Sequence, residues 1–202
     1  MIPEWKKNII LKMKKEIDEC NNKLVFIHTP KCGGTYSSQY MSVCNIKNNG
    51  HNQAIKIDKE VIKIDKEVTF TIIRDPIKRF ESFLNYRLGN NMRDTFPDRL
   101  HYFFDDKSKT LNDIINEITY EDTLLFSPYK SLTHWSQNVD LLITIDELEE
   151  TLKLLGYNIE NYKFENLNVS VKERGTINDV NKQKLSKFYE NDIKLYNHWT
   201  RK

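Results

Sequence analysis

Leu24-Val25-Phe26-Ile27-His28 runs directly into Thr29-Pro30-Lys31-Cys32-Gly33-Gly34-Thr35, and the change of character at that junction decides the fold. Four apolar residues in a row, closed by turn formers, read as a short strand buried on both faces, the kind that builds parallel sheets. The chain has six glycines, and only here do two stand together. Thr35 to Cys44 then suits a helix. Strand, glycine pair and helix in that order form a loop whose backbone N–H groups can turn inward around an anion, with a helix N-terminus, a lysine and a threonine hydroxyl in reach. A tight turn with no ligand is the competing reading of the same residues.

The pattern repeats downstream. Val68 to Ile73 is a second buried strand, and Arg74-Asp75-Pro76 ends it. Asp75 as cap and Pro76 at the first helical position start a helix that carries Phe80, Phe83, Leu84 and Leu88 and ends at Gly89. Leu111 to Ile118 is a short helix. Leu141 to Ile145 is a third strand, followed by a helix over Asp146 to Leu155 with Gly156 just past its end. Asn181 to Trp199 reads as one long closing helix with Leu185, Phe188, Tyr189, Leu195, Tyr196 and Trp199 on its apolar face. Strands alternating with helices predict an α/β fold: a single-domain, P-loop-like, three-layer arrangement with a central parallel sheet flanked by helices. Ligands in such sheets bind at the carboxyl ends of the strands.

The rest of the chain narrows the classes. At 202 residues a core needs no metal or disulfide staple. Lys and Arg number 31 against 29 Asp and Glu, a net charge of +2, which excludes a broad polycationic nucleic-acid surface but not a local basic pocket. Cys20, Cys32 and Cys44 cannot all pair and show no zinc spacing, so a reducing, cytoplasmic setting is expected. Residues 1–22 lack the apolar run of a signal peptide or membrane span. They predict an amphipathic helix packed on the domain, with Trp5, Ile9, Met13 and Ile17 at helical spacing and a lysine-rich opposite face. Ile55 to Val61 is repeated at once as Ile62 to Val68, a local duplication and not a repeat architecture.

The loop after the first strand departs from the nucleoside-triphosphate pattern. Lys31 precedes the glycines, and Cys32 follows it where a metal-binding hydroxyl would stand. That argues against phosphoryl transfer, in which Mg²⁺ neutralises developing charge. At the second strand end, Ser82 lies seven residues past Asp75, two helical turns along, so Arg74 and Ser82 can converge on one phosphate. An incidental pairing of Arg74 with an acid, a solvated Arg79 and a surface Ser82 is the alternative.

Together the two motifs are more specific than either. Pro-Lys-x-Gly-Gly-Thr after a buried strand, then Arg-Asp-Pro-x-x-Arg-x-x-Ser after a second, resembles the sulfotransferases that use 3′-phosphoadenosine 5′-phosphosulfate (PAPS). The carbohydrate, Golgi-type branch is the nearest likeness. Asp140 to Leu148, Asn168-Val169-Ser170 and the segment Tyr189 to Tyr196 resemble later parts of that family more loosely. The resemblance covers about Lys23 to Trp199 and makes 23–202 a sulfotransferase-like domain.

It implies that Lys31, Cys32, Gly33, Gly34 and Thr35 hold the 5′-phosphosulfate, that Arg74 and Ser82 hold the 3′-phosphate, and that Arg174, within Lys172 to Gly175, closes over the nucleotide. It implies catalysis by Lys31 and by His51 as general base, with His28 and His134 as alternatives. The implied co-substrate is PAPS without a metal. The implied partner is a hydroxyl-bearing acceptor, a glycan, in a cleft partly formed by Asn45 to Gln53 and Asp94 to Lys109, where Arg93, Arg99, Lys107 and Lys109 suit an acidic sugar or, as scattered charge more commonly does, form a solvated face. A P-loop nucleotide kinase, and a nucleotide-binding protein without transferase activity, are the other readings.

Overall fold

The computed structural model describes residues 2–50, 67–89, 103–106, 108–125, 131–163 and 175–201. In chain order the elements are α1 (Glu4–Cys20), β1 (Lys23–Ile27), α2 (Gly34–Val43), β2 (Lys47–Asn48), β3 (Glu67–Ile72), α3 (Pro76–Gly89), α4 (Leu111–Glu117), α5 (Tyr120–Leu125) and α6 (Leu132–Ser136). There follow β4 (Leu141–Ile143), a 3₁₀ turn (Ile145–Glu147), α7 (Leu148–Leu154), α8 (Asp179–Phe188) and α9 (Glu190–Thr200). The four strands form one all-parallel sheet in the order β2-β1-β3-β4, and helices flank it, so the fold is the expected three-layer α/β arrangement.

Strand alternation sorts the side chains. Leu24 and Phe26 of β1 join Val68, Phe70 and Ile72 of β3 in the larger core, with Phe26 registered on Phe70 and the two rings 5.2 Å apart. Val25 and Ile27 face the other way, with Val139. A second core gathers Phe80, Phe83 and Leu84 of α3 with Leu111, Ile114 and Ile115 of α4 and Leu185 of α8. Asp75 caps α3 as expected, accepting from the Lys78 backbone N–H at 2.9 Å. Gly156 (φ 96°) ends α7 in a Schellman turn, with Tyr157 N–H donating to the Leu152 carbonyl and Gly156 N–H to that of Lys153.

Three sequence expectations are corrected. Asn181 to Trp199 is two helices, broken at Tyr189 (φ −108°, ψ 26°). The reason is packing: Leu185 and Tyr189 belong to the second core, whereas Leu195, Tyr196 and Trp199 pack on the first, and one straight helix cannot face both. The third strand stops at Ile143, because Thr144 N–H donates to the Glu147 carboxylate at 2.8 Å and starts the helical turn at Ile145. The polar Lys47–Asn48 pair forms β2 where a loop was expected.

On α1 the buried residues are Lys6, Ile10 and Met13. Lys6 is wholly buried and its ammonium donates to both Glu147 carboxylate oxygens, at 2.8 and 2.9 Å. Among the described residues no helix is long and apolar enough to cross a membrane.

Candidate functional site

The chain passes from β1 to β2 on one side and then to β3 on the other side of β1. The carboxyl ends of β1 and β3 therefore flank the point where strand order reverses, which is where open α/β sheets bind ligands. Both sequence motifs end there. The two strand ends are tied by buried hydroxyls: Thr71 donates to the Ile27 carbonyl at 2.7 Å, so the Thr29 hydroxyl, 2.8 Å away, donates to Thr71.

The loop itself is sharply turned. Lys31 (φ 62°) and Gly33 (φ 87°) both take the left-handed conformation, which for the lysine costs about 1–2 kcal/mol. Gly33 caps α2 and offers no side chain to its first turn, so the positive end of the helix opens on the loop, where an anion is favoured. The two glycines are required for different reasons. Gly33 needs its left-handed backbone and sits against Ile145, whose Cδ1 would be 3.0 Å from an added methyl. At Gly34 the reason is space: a methyl there would fall 1.4 Å from His28 Nε2. The half-buried His28 imidazole, stacked 6.0 Å from the Phe26 ring, thus packs directly on the start of α2.

Charge in the loop is one-sided. Burial and the neighbouring Arg74 hold Lys31 down to about 8. Its ammonium lies 4.0 Å from the centre of the Tyr86 ring, and among the described residues neither Lys31 nor Arg74 forms an ion pair with a carboxylate. Burial pushes the Cys32 thiol up to about 11, although the Arg79 guanidinium and the Arg74 backbone N–H both donate to its sulfur. Cys32 is a buried neutral thiol in the larger core, so the backbone at this position is the part a ligand would meet.

Lys31, Cys32, Gly33, Gly34 and Arg74 are therefore brought together. Thr35 lies exposed in the first turn of α2. Ser82 lies on α3 and makes no hydrogen bond among the described residues, to Arg74 or to the loop. His134 sits on α6, its ring edge-on to Trp135 at 5.3 Å; the start of that helix is held by Asp192, which accepts from Leu132 N–H at 2.6 Å and Thr133 N–H at 3.1 Å. Lys109 pairs with Glu117 at 2.7 Å. His51, Arg93, Arg99, Lys107 and Arg174 lie outside the described residues.

Two residues of the site were given no role there from sequence. Arg79 is buried, not solvated, and its Nε donates to the Pro30 carbonyl at 2.9 Å. Tyr86 carries the ring beside Lys31. Their signal was spacing: Arg79, Ser82 and Tyr86 stand at i, i+3 and i+7, one stripe of α3. Tyr196 of α9 reaches the same corner; burial raises its phenol, with Asp75, Asp146 and Glu147 adding to the effect and Arg74 opposing it. Comparison with family models, curated proteins and solved structures finds nothing that matches this chain.

Proposed function

We propose that the protein is a PAPS-dependent sulfotransferase that moves a sulfuryl group to an acceptor hydroxyl of a carbohydrate. One observation carries the reading: Lys31 and Arg74 lie close at the strand-order reversal, beside a helix N-terminus with no side-chain cap, and among the described residues neither forms an ion pair with a carboxylate. Like charges held side by side, Lys31 partly buried and Arg74 exposed, suit a ligand that brings the missing negative charge. The two motifs around Lys31 and Arg74 support PAPS as that ligand. The buried, neutral Cys32 thiol, standing where a hydroxyl would hold a metal, supports sulfuryl over phosphoryl transfer.

In this proposal Lys31 and the first-turn N–H groups of α2, at Gly34 and Thr35, hold the 5′-phosphosulfate, while Arg74 and Ser82 hold the 3′-phosphate and Arg174 closes over the nucleotide. The bound co-substrate supplies the sulfuryl group, whose bond to the bridging phosphate oxygen breaks as the acceptor oxygen bonds to sulfur. Lys31 neutralises charge building on that bridging oxygen. His51 accepts the acceptor's hydroxyl proton, with His28 the alternative because it packs against Gly34. A cytoplasmic setting goes with the proposal, supported by three free cysteines.

The test is transfer of radiolabelled sulfate from PAPS to a glycan library, with calorimetry of 3′-phosphoadenosine 5′-phosphate against AMP in EDTA. Transfer is expected, with the bisphosphate bound more tightly. Equal affinities for the two nucleotides, or none, would remove PAPS from the proposal. Tight binding without transfer to any acceptor would leave a nucleotide-binding protein.

A further inference from the structure

The stripe on α3 does more than close a core. Arg79 fixes the loop backbone, because its buried Nε donates to the carbonyl of Pro30, the residue before Lys31. Two turns along the same stripe, the Tyr86 ring lies 4.0 Å from the Lys31 ammonium. That distance is well inside the range at which an aromatic face attracts a cation. Lysine is a flexible four-carbon stem ending in a compact charge with three donors. Left in water it would sample many rotamers, and an anion would have to order it.

A ring on one side of the ammonium removes that freedom and leaves the other donors open. Among the described residues no carboxylate competes for the charge. We propose that Tyr86 is a positioning residue: its ring holds the Lys31 ammonium over the loop, ready for the anion that the loop and the α2 N-terminus bind. This rests on the reading of the loop as an anion site, but not on sulfuryl transfer.

The experiment uses the full chain and inorganic pyrophosphate as probe, so it stands even if no sulfate transfer is found. Pyrophosphate affinity is measured by calorimetry for the wild type, Tyr86→Phe, Tyr86→Leu, Lys31→Ala and the Tyr86→Leu/Lys31→Ala double variant. Tyr86→Leu is expected to weaken binding about 5- to 30-fold, the range of a partly desolvated cation–ring contact. Tyr86→Phe, which keeps the ring, should stay within about twofold of the wild type. In the Lys31→Ala background the leucine change should add less than about twofold, because Tyr86 acts only through that lysine.

Equal weakening by Phe and Leu, or a leucine effect that persists without Lys31, would overturn the proposal. So would pyrophosphate binding that does not depend on Tyr86 at all. If Tyr86→Leu does not fold, the wild type still decides. In protein carrying ¹³C-labelled lysine, the Lys31 ε-methylene signal, assigned by its loss in Lys31→Arg, should be shifted upfield by the ring and remain so in Tyr86→Phe. An unshifted signal would refute the contact.

Discussion

Two lysines of this chain lose water, and they do so in different company. Lys6 enters the core between α1 and the 3₁₀ turn and meets a carboxylate that takes both of its contacts, at 2.8 and 2.9 Å. Lys31 is only partly enclosed, and its nearest charged influence is another cation, Arg74. The first arrangement is closed: every charge in it has an opposite charge within the fold. The second is open, and the charge that would close it has to come from outside. Burial of a cation therefore says little by itself; what distinguishes a strut from a binding group is whether the fold supplies the counter-charge.

The largest effect expected from this contrast is on stability. Lys6→Ala strands the Glu147 carboxylate in the core and should cost about 3–5 kcal/mol in urea denaturation, whereas Lys31→Ala should cost far less, since it leaves only the Tyr86 ring and no carboxylate behind. Similar losses from the two would break the distinction between them.

Next comes turnover. If the proposed transfer holds, Lys31→Ala should lower kcat about 10²–10³-fold, the usual penalty for losing a donor to developing charge, and alter product-nucleotide affinity much less. Arg74→Ala should do the reverse, weakening nucleotide binding by about 1.5–3 kcal/mol while kcat is largely kept. Single-turnover and binding measurements on both variants separate the roles, and parallel behaviour would merge them.

The smallest effect is the dependence on pH, and its sign is distinctive. With Lys31 titrating at about 8 in the folded chain, about nine-tenths of it is uncharged at pH 9, so anion affinity should fall between pH 7 and 9. Stability should move the other way. Between about 8 and the ordinary lysine value of 10.5 the unfolded chain keeps a proton that the folded chain has released, so this group's contribution to stability rises with pH. Titrations of pyrophosphate binding and of unfolding midpoint across that window test both trends. An affinity that is flat with pH would show that Lys31 does not meet the anion.

The three apolar strands, the glycine loop and the Asp75 cap were legible because each is written locally, in a run of apolar residues or in a cap beside its helix. What was not legible depends on distant partners. Lys6 looks like any surface lysine of an amphipathic helix until Glu147, far along the chain, is placed beside it. The break at Tyr189 is invisible to periodicity, since the apolar spacing continues through it while the two halves turn to separate cores. Two polar residues carry no strand signal, and β2 is made only by the edge of β1 that it pairs with. In the site, Lys31, Gly33, Gly34 and Arg74 could be found from the motifs, while Arg79 and Tyr86 gained their meaning from the loop that α3 packs beneath.

The contact between His28 and Gly34 ties two positions of the sequence into one heritable unit. Gly34 has an ordinary backbone, so the ring of His28 and not the local chain forbids a side chain there. Neither position is then free to drift alone. A lineage that acquires alanine at 34 must shorten residue 28 or swing its ring aside, and one that keeps the imidazole where it lies must keep the glycine. Among descendants of this chain the two should change together or not at all, leaving a paired signature at the end of the first strand.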